Sequence, residues 1–346
     1  MIDHFKRIMV FLRAKNKKGF LKIIRECTEV YQLKKEIPLY YFAKYLFRDS
    51  VDNHRDYLST RETKKILEAF RPSSKTRQII DDKLDFGTYL KRCNMPTPKI
   101  YGHNIKKHFF LDGTAIDLHE EKELTTYFKK LFEHSQKGIL FVKPIAGGKG
   151  ANCYIFHKDH IAEQVSALHP ILSSGSFLYQ DVIAQHSDIN AINPNSVNTI
   201  RFNSYVDEQH KPHIISAFMR FGTAGSVQDN ASSGGFCVPI CLNKGTLGEC
   251  GQQLMKYGGR AFLNHPDTGF SFNNFNIPFF QEACELVQRA SSLFEARILG
   301  WDIAITPEGP IVVETNHNVG IFVADIMYGG LKKHPLFEEI ECYLSH

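Results

Sequence analysis

Gly300-Trp301-Asp302-Ile303-Ala304-Ile305-Thr306, Pro307-Glu308-Gly309, Pro310-Ile311-Val312-Val313-Glu314-Thr315-Asn316 holds two β-type runs around a turn. Pro-Glu-Gly is turn chemistry, and the apolar runs beside it read as the arms of a hairpin. With Thr306 facing Pro310, Asp302 falls directly opposite Glu314. Alternation then puts Ile303, Ile305, Ile311 and Val313 on a core face and Asp302, Glu314 and Asn316 on the other. Two carboxylates opposed across a strand pair sit about 5 Å apart and repel. A cation between them removes the repulsion. Three hard oxygen donors suit Mg²⁺, which keeps several waters and takes further ligands from substrate phosphates. The plainer reading is the solvated outer face of an edge hairpin, but that leaves the opposed acids without a reason.

A second signal is Ile139-Leu-Phe-Val-Lys143-Pro144, followed by Ala146-Gly147-Gly148-Lys149-Gly150-Ala151 and the run Asn152–Phe156. The spacing is not that of a P-loop, and a strand-like run follows it where a P-loop has a helix. It reads as a hairpin whose glycine-rich tip offers backbone N–H groups to phosphates, a nest-like anion site. Lys143 stands at the mouth of that hairpin, placed to meet a phosphate oxygen. Taken alone, such a tip is an ordinary turn.

The rest of the chain sets limits. At 346 residues it is too long for one small domain, and two or three modules are expected. No apolar run approaches the roughly 20 residues that span a bilayer, and the apolar stretch Ile8–Leu12 is too short for a signal peptide. A cytoplasmic protein is the expectation. The eight cysteines include no Cys-x-x-Cys pair, so reduced thiols are expected in place of disulfides or zinc. Residues 1–35 carry ten Lys/Arg against Asp3, Glu26 and Glu29, a net +7 within a total of +5, leaving −2 elsewhere. With Ile8, Met9, Phe11, Leu12, Phe20, Leu21 and Ile24 interleaved, this segment suits peripheral contact with an anionic membrane surface; a solvated helix face is the bland alternative. The basic excess stops there, which argues against a nucleic-acid partner.

Residues 1–72 read as helical, from apolar spacings of three and four through Leu39, Phe42, Ala43 and Leu46. Arg71-Pro72-Ser73-Ser74 marks a boundary. A further helix is expected from Asp81, with Asp81 and Asp82 in its first turn, ending near Asn94 before Met95-Pro96-Thr97-Pro98. Beyond Gly138 come short β-type runs, interrupted by helices near His160–His169 and Phe279–Phe294. Strands with interspersed helices, without strict alternation, make an α+β fold.

Five pieces in order then resemble the ATP-grasp superfamily. They are Asp82-Lys83 opening a helix that ends in Asn-Met-Pro-Thr-Pro, Phe-Val-Lys143-Pro with its glycine loop, Phe177-Leu-Tyr-Gln-Asp-Val-Ile183, the arginines, and Trp-Asp302 with Glu314-Thr-Asn316. Ser196-Val-Asn-Thr-Ile-Arg201, Asp229-Asn-Ala-Ser-Ser-Gly-Gly235 and Gly-Trp-Asp-Ile-Ala-Ile-Thr306 resemble the sugar-transfer-associated group in particular. The likeness covers roughly residues 75–328.

The resemblance implies an ATP-grasp fold over 73–346, with a first subdomain at about 137–184 and a second at 185–346, behind a helical basic region 1–72. It implies that Lys83, Lys143, Gly147, Gly148 and Gly150 hold the ATP phosphates, and that Gln180, Asp181, Val182 and Ile183 form the adenine hinge. Asp302, Glu314 and Asn316 would bind Mg²⁺ or Mn²⁺, and Arg201 and Arg220 would steady the transferring phosphoryl group. The family's ribose-binding acid falls among Gln185, His186 and Asp188. His317-Asn-Val-Gly320 lacks the family's proline before its glycine. The expected activity is a Mg-ATP-dependent carboxylate–amine ligation through an acyl phosphate, with a uronic acid or glycan as carboxylate and an amino acid as amine, in cell-surface polysaccharide synthesis. A kinase on the same fold and a non-catalytic nucleotide-binding module are the alternatives.

Overall fold

The computed structural model describes residues 2–111, 113–135, 137–147, 151–226, 229 and 234–344. Gly148, Gly150 and Asn230 lie outside the described residues. Two antiparallel sheets organise the chain, in keeping with the α+β expectation. The smaller sheet has strands β1 (Ile100–Ile105), β2 (His108–Leu111), β3 (Thr114–Asp117), β4 (Ile139–Pro144), β5 (Tyr154–His157) and β6 (Ser176–Asp181), in the order β3-β2-β1-β6-β4-β5. The sheet of the glycine-rich hairpin therefore begins at residue 100, ahead of the first β-type run expected at 139. Helices Glu121–His134 and Ile161–Ser174 bury Leu124, Phe128, Leu131 and Val165 against it.

The larger sheet contains β7 (Ile200–Val206), β8 (Pro212–Phe221), β9 (Phe236–Cys241), β10 (Thr246–Leu247), β11 (Gly251–Gln253), β12 (Ala261–Phe262), β13 (Ile298–Thr306) and β14 (Gly309–Asn316). Its order is β12-β11-β9-β8-β7-β13-β14, with β10 beside β9. Strand alternation gives it two different faces. Phe202, Met219, Leu299, Trp301, Ile303 and Ile305 pack on helix Phe280–Ser291. The opposite face carries Arg201, Arg220 and Asp302 among otherwise buried neighbours. Trp301 is wholly buried, with its indole N–H donating to Ser204 Oγ at 3.0 Å, so it serves packing.

The N-terminal helices Ile2–Arg13, Phe20–Lys34, Leu39–Ala43 and Thr60–Ala69 bear out the helical reading of that region. They pack onto the larger sheet and a helix beside it: Tyr45 donates to Gln253 O in β11, and Lys44 Nζ meets Asp325 of helix Ile321–Tyr328 at 2.5 Å with both side chains buried. Ser59 and Glu62 form a capping box at the fourth helix. One boundary differs from expectation. Asp81 ends helix Ser74–Asp81, which Ser73 caps, and a separate helix Lys83–Arg92 starts behind Asp82. Asp82 leaves the helical region and accepts from the N–H groups of Leu84 and Asp85, so the two aspartates do different jobs. All eight cysteines are free thiols, and no group of three His, Cys, Asp or Glu side chains placed to hold a metal forms among the described residues.

Candidate active site

The β13–β14 hairpin forms with a different register from the simple one. Thr306 pairs with Gly309, not Pro310, and a bulge between Asp302 and Ile303 restores Asp302 to a position opposite Glu314. Val313 is the extra residue. The bulge also changes the core face: Val312 is fully buried there, while Ile311 and Val313 are half-buried, correcting the expected Ile311/Val313 pair. A bulge beside a carboxylate re-aims that side chain, here Glu314.

Asp302 is held by two arginines. Arg201 Nε donates to Oδ1 at 2.5 Å and Nη2 to Oδ2 at 3.1 Å, while Arg220 Nη2 lies 2.9 Å from Oδ2. Register places Arg201 beside Asp302 across β7 and β13. Gly300 makes room for that guanidinium, since a Cβ there would stand 3.3 Å from Arg201 Nη1 and 3.1 Å from Val319 Cα. Burial by itself would raise the Asp302 pKa, but the two guanidinium groups overcome it and hold the carboxyl far below the usual range. Glu314 moves the other way. Burial and the Asp302 charge raise it, and the two carboxyls share a hydrogen bond. Of the pair, Asp302 is therefore the stronger acid and Glu314 the weaker. Asn316 Nδ2 donates to Glu314 Oε1 at 3.2 Å.

Arg220 is fixed from behind by groups that the sequence reading missed. Its guanidinium donates to Thr199 Oγ1, and Asp229 Oδ2 lies 3.5 Å from Nε. Asp229 in turn accepts from the Thr199 N–H at 2.9 Å and hydroxyl at 2.5 Å. Burial lowers the Arg220 pKa, and Asp229, Asp302 and Glu314 more than reverse it. Asn198 anchors this corner. It is buried and bonded to Gln185, Asn193 and Ser196, so it is more than a turn residue.

Lys83 and Lys143 converge as well. Lys83, at the start of its helix, donates through Nζ to Gly147 O, and its N–H bonds Ile145 O at 3.0 Å. Gly147 sits at φ +98°, which favours glycine. Lys143, on β4, is depressed to about 8, chiefly by burial; Glu314 raises it and Lys83 lowers it further. A cleft of about 460 Å³ is lined by Asp81, Lys83, Gly147, Arg201, Arg220, Glu314 and Asn316 together with Phe86, Phe218 and Val323. Lys143 and Asp302 stand behind this lining. A second space of about 20 Å³ among Leu58, Ile66, Ile298 and Phe337 is an apolar packing gap.

A model of the sugar-transfer associated ATP-grasp family matches residues 64–340. The chain belongs to that family. No curated protein matches the sequence. Among solved structures it is similar to D-alanyl-alanine synthetase A from Vibrio cholerae, at 14% identity over 78% of this chain and 67% of that one, TM-score 0.44. It is also similar to the ATP-grasp ligase PsnB complexed with minimal precursor, Mg and ADP, at 13% over 80% and 62%, TM-score 0.40. N5-carboxyaminoimidazole synthase from Aspergillus clavatus matches at 12% over 81% and 59%, TM-score 0.42. The chain thus spans about three-fifths to two-thirds of these structures' own lengths, and likeness at this level says nothing of its substrates.

The ATP-grasp metal position can be tested on this chain's own atoms. Glu314 and Asn316 line the cleft, and burial and the Asp302 charge make ionised Glu314 costly there. A divalent cation beside the two carboxyls offsets that cost, so the donor set fits. Gln180, Asp181, Val182 and Ile183 are not part of the cleft lining. Gln180 is buried in β6 between β1 and β4, Asp181 accepts from Tyr101 OH at 2.7 Å, and the other two lie in the link beyond. Of the ribose candidates, Gln185 is tied to Asn198 and His186 caps Ser187–Ile192, which leaves the exposed Asp188 carboxylate. His317 pairs with Asp81 at 3.3 Å at the cleft rim.

Proposed function

We propose that this ATP-grasp chain joins a carboxylate to an amine at the expense of Mg-ATP. One observation carries the reading: Lys83, Gly147, Arg201, Arg220, Glu314 and Asn316 line a single cleft, and Lys143 lies behind it, close enough to feel the charges of Glu314 and Lys83. An anionic triphosphate has to be brought beside an anionic acceptor, and such chemistry is mostly positioning and charge neutralisation. Lys83, Lys143 and the glycine loop with Gly147, Gly148 and Gly150 would take the phosphates. Gln180–Ile183 would read the adenine. Arg220, fixed by Thr199 and Asp229, and Arg201 would face the transferring phosphoryl group. Glu314, Asn316 and Asp302 would hold Mg²⁺, which when bound draws charge from the phosphate oxygens.

A carboxylate oxygen of the acceptor would take the γ-phosphoryl group and ADP would leave. An amine nitrogen would then attack the acyl carbon, phosphate would depart with the C–O bond electrons, and the amine would lose a proton. No protein nucleophile is required. The family's sugar-transfer association supports a uronic acid as the carboxylate and an amino acid as the amine, within cell-surface polysaccharide assembly.

The test measures ADP release with Mg-ATP, a panel of uronic and amino acids, and hydroxylamine as trapping amine. Hydroxamate appearing with ADP is the expected result. ADP with a stable phosphorylated acceptor and no hydroxamate would move the assignment to kinase, and nucleotide binding without turnover on the whole panel would favour a binding module.

A further inference from the structure

The N-terminal helices have an inner and an outer side, and the two differ in chemistry. Inward, Ile23 and Val30 are buried in a core with Tyr41 and Phe47, and Phe11 packs edge-on against Phe42 and Phe47 at 5.1 and 4.9 Å. The three acids between residues 6 and 39 are each engaged within the chain. Glu26 pairs with the buried Lys18 at 2.6 Å, Glu29 meets Arg55 and His54, and Glu36 accepts from the Arg61 N–H. Outward, Ile8, Leu12, Phe20, Leu21, Ile24 and Ile37 are exposed, Phe20 by 74% and Leu21 by 81%. Among them stand Arg7, Arg13, Lys15, Lys22, Arg25 and Lys35, all exposed.

This sorting is the reverse of an ordinary solvated helix, whose large apolar side chains go inside. Isolated exposed leucines need no explanation, but a concentration of them amid unneutralised bases marks an interaction surface. Phe20, Ile24 and Tyr31, four and seven positions apart, share one side of their helix, and all are exposed. The partner must offer negative charge and an apolar layer at once.

We infer that the outer side of residues 6–39 seats the chain on an anionic lipid surface. Interfacial helices that lie in the headgroup region combine large apolar side chains with Lys and Arg in this way, and each base near such a surface adds about fivefold to the partition. A second copy of the chain fits worse, because a self-complementary contact would bring one strongly basic surface against another. Residues 36–346 carry a net −2, so the basic side alone faces the lipid. No helix of the described residues is long and apolar enough to cross a membrane. The inference stands independently of the ligase reading, since it uses none of the cleft residues.

The experiment is co-sedimentation of the full chain with phosphatidylcholine vesicles, with and without phosphatidylglycerol. The unaltered chain is expected to pellet with the anionic vesicles, to stay in solution with the neutral ones, and to be released by salt. Phe20→Ser with Leu21→Ser, and separately Lys22→Glu with Arg25→Glu, should each lower the partition by at least about tenfold while leaving the Tm unchanged, because all four side chains are exposed. Absence of pelleting by the unaltered chain overturns the inference, as does pelleting that neither variant weakens. Concentration-dependent dimerisation lost in Phe20→Ser/Leu21→Ser, without vesicle binding, overturns it in favour of a protein interface. ADP release in the presence or absence of vesicles is a separate readout, so failure here leaves the ligase test standing.

Discussion

The phosphate role proposed for Lys143 has a pH signature that no exposed lysine would produce. Burial depresses its pKa to about 8, against 10.5 for the ordinary side chain. A phosphate oxygen beside the ammonium would restore the cation, so binding above pH 8 must take up a proton. The dissociation constant of metal-free ADP should be flat below pH 8 and then rise by up to about tenfold per pH unit, with a ceiling of roughly 300-fold near pH 10.5. Folding moves the opposite way. The native lysine has shed its proton where the unfolded one still keeps it, so this group makes the empty protein more stable as pH rises from 8 to 10.5. The assay is isothermal titration of ADP in EDTA at pH 7, 8 and 9, on the unaltered chain, Lys143→Arg and Lys143→Met. Arg stays protonated throughout and Met has no charge, so both variants should lose the slope. An unaltered chain with no slope, or a Lys143→Arg chain that keeps it, would refute the reasoning.

Three further outcomes follow from the paired strands. Asp302→Asn should lower stability by about 3 kcal/mol, a Tm drop of roughly 4 °C in a chain of this length, because it leaves Arg201 and Arg220 buried with part of their charge unmet; a drop below about 1 °C in differential scanning calorimetry would count against the pairing. Glu314→Gln should keep or raise the Tm of the empty protein at pH 7. Its folded pKa is raised, so ionising it near neutrality is a cost that the amide lacks, yet Mg-ATP-dependent turnover should fall by at least about 10²-fold. Gly300→Ala should cost about 1–3 kcal/mol by urea melt, since its methyl meets Val319 at 3.1 Å and crowds Arg201.

Legibility followed local chemistry. Pro307-Glu308-Gly309 announces a turn, and the alternation beside it separates Asp302 from Ile303, so the hairpin and its opposed acids were readable. The bulge was not, because an extra residue such as Val313 is as apolar and β-branched as its neighbours. The assumed register was therefore off by one at Thr306, and the bulge cancelled the error at Asp302. β1 was missed because Gly102, His103 and Asn104 look like loop. Asn104 is in fact wholly buried, donating to the carbonyls of Leu172 and Gly175 and accepting from Phe177 N–H and Tyr179 OH. Such partners are some 70 residues away, where no window of sequence can see them. Met9 and Phe11 were counted with the outer side of the N-terminal helix, and Phe11 turns inward on two rings.

The same limit explains why the opposition of the two acids was legible and the partners of Asp302 were not. Opposed carboxylates demand a positive charge, and the sequence suggested a metal as its source. In the folded chain two positive charges already stand there, Arg201 and Arg220, and they choose which acid ionises. Asp302 is held charged, and Glu314 is made the harder of the two to ionise. This asymmetry suits a site that has to be stable before its cation arrives. If both acids were ionised without a cation the hairpin would repel itself; if both were protonated a cation would have two protons to displace. Because burial and the Asp302 charge raise the pKa of Glu314, the cleft-lining member, protons compete there with an entering cation, so the affinity for Mg²⁺ should climb with pH through the Glu314 titration and level off beyond. Titration of Mg²⁺ against the Tm from pH 5 to 8 reads that curve, and Glu314→Gln should flatten it; a metal response independent of pH in the unaltered chain would remove the arginines from this role.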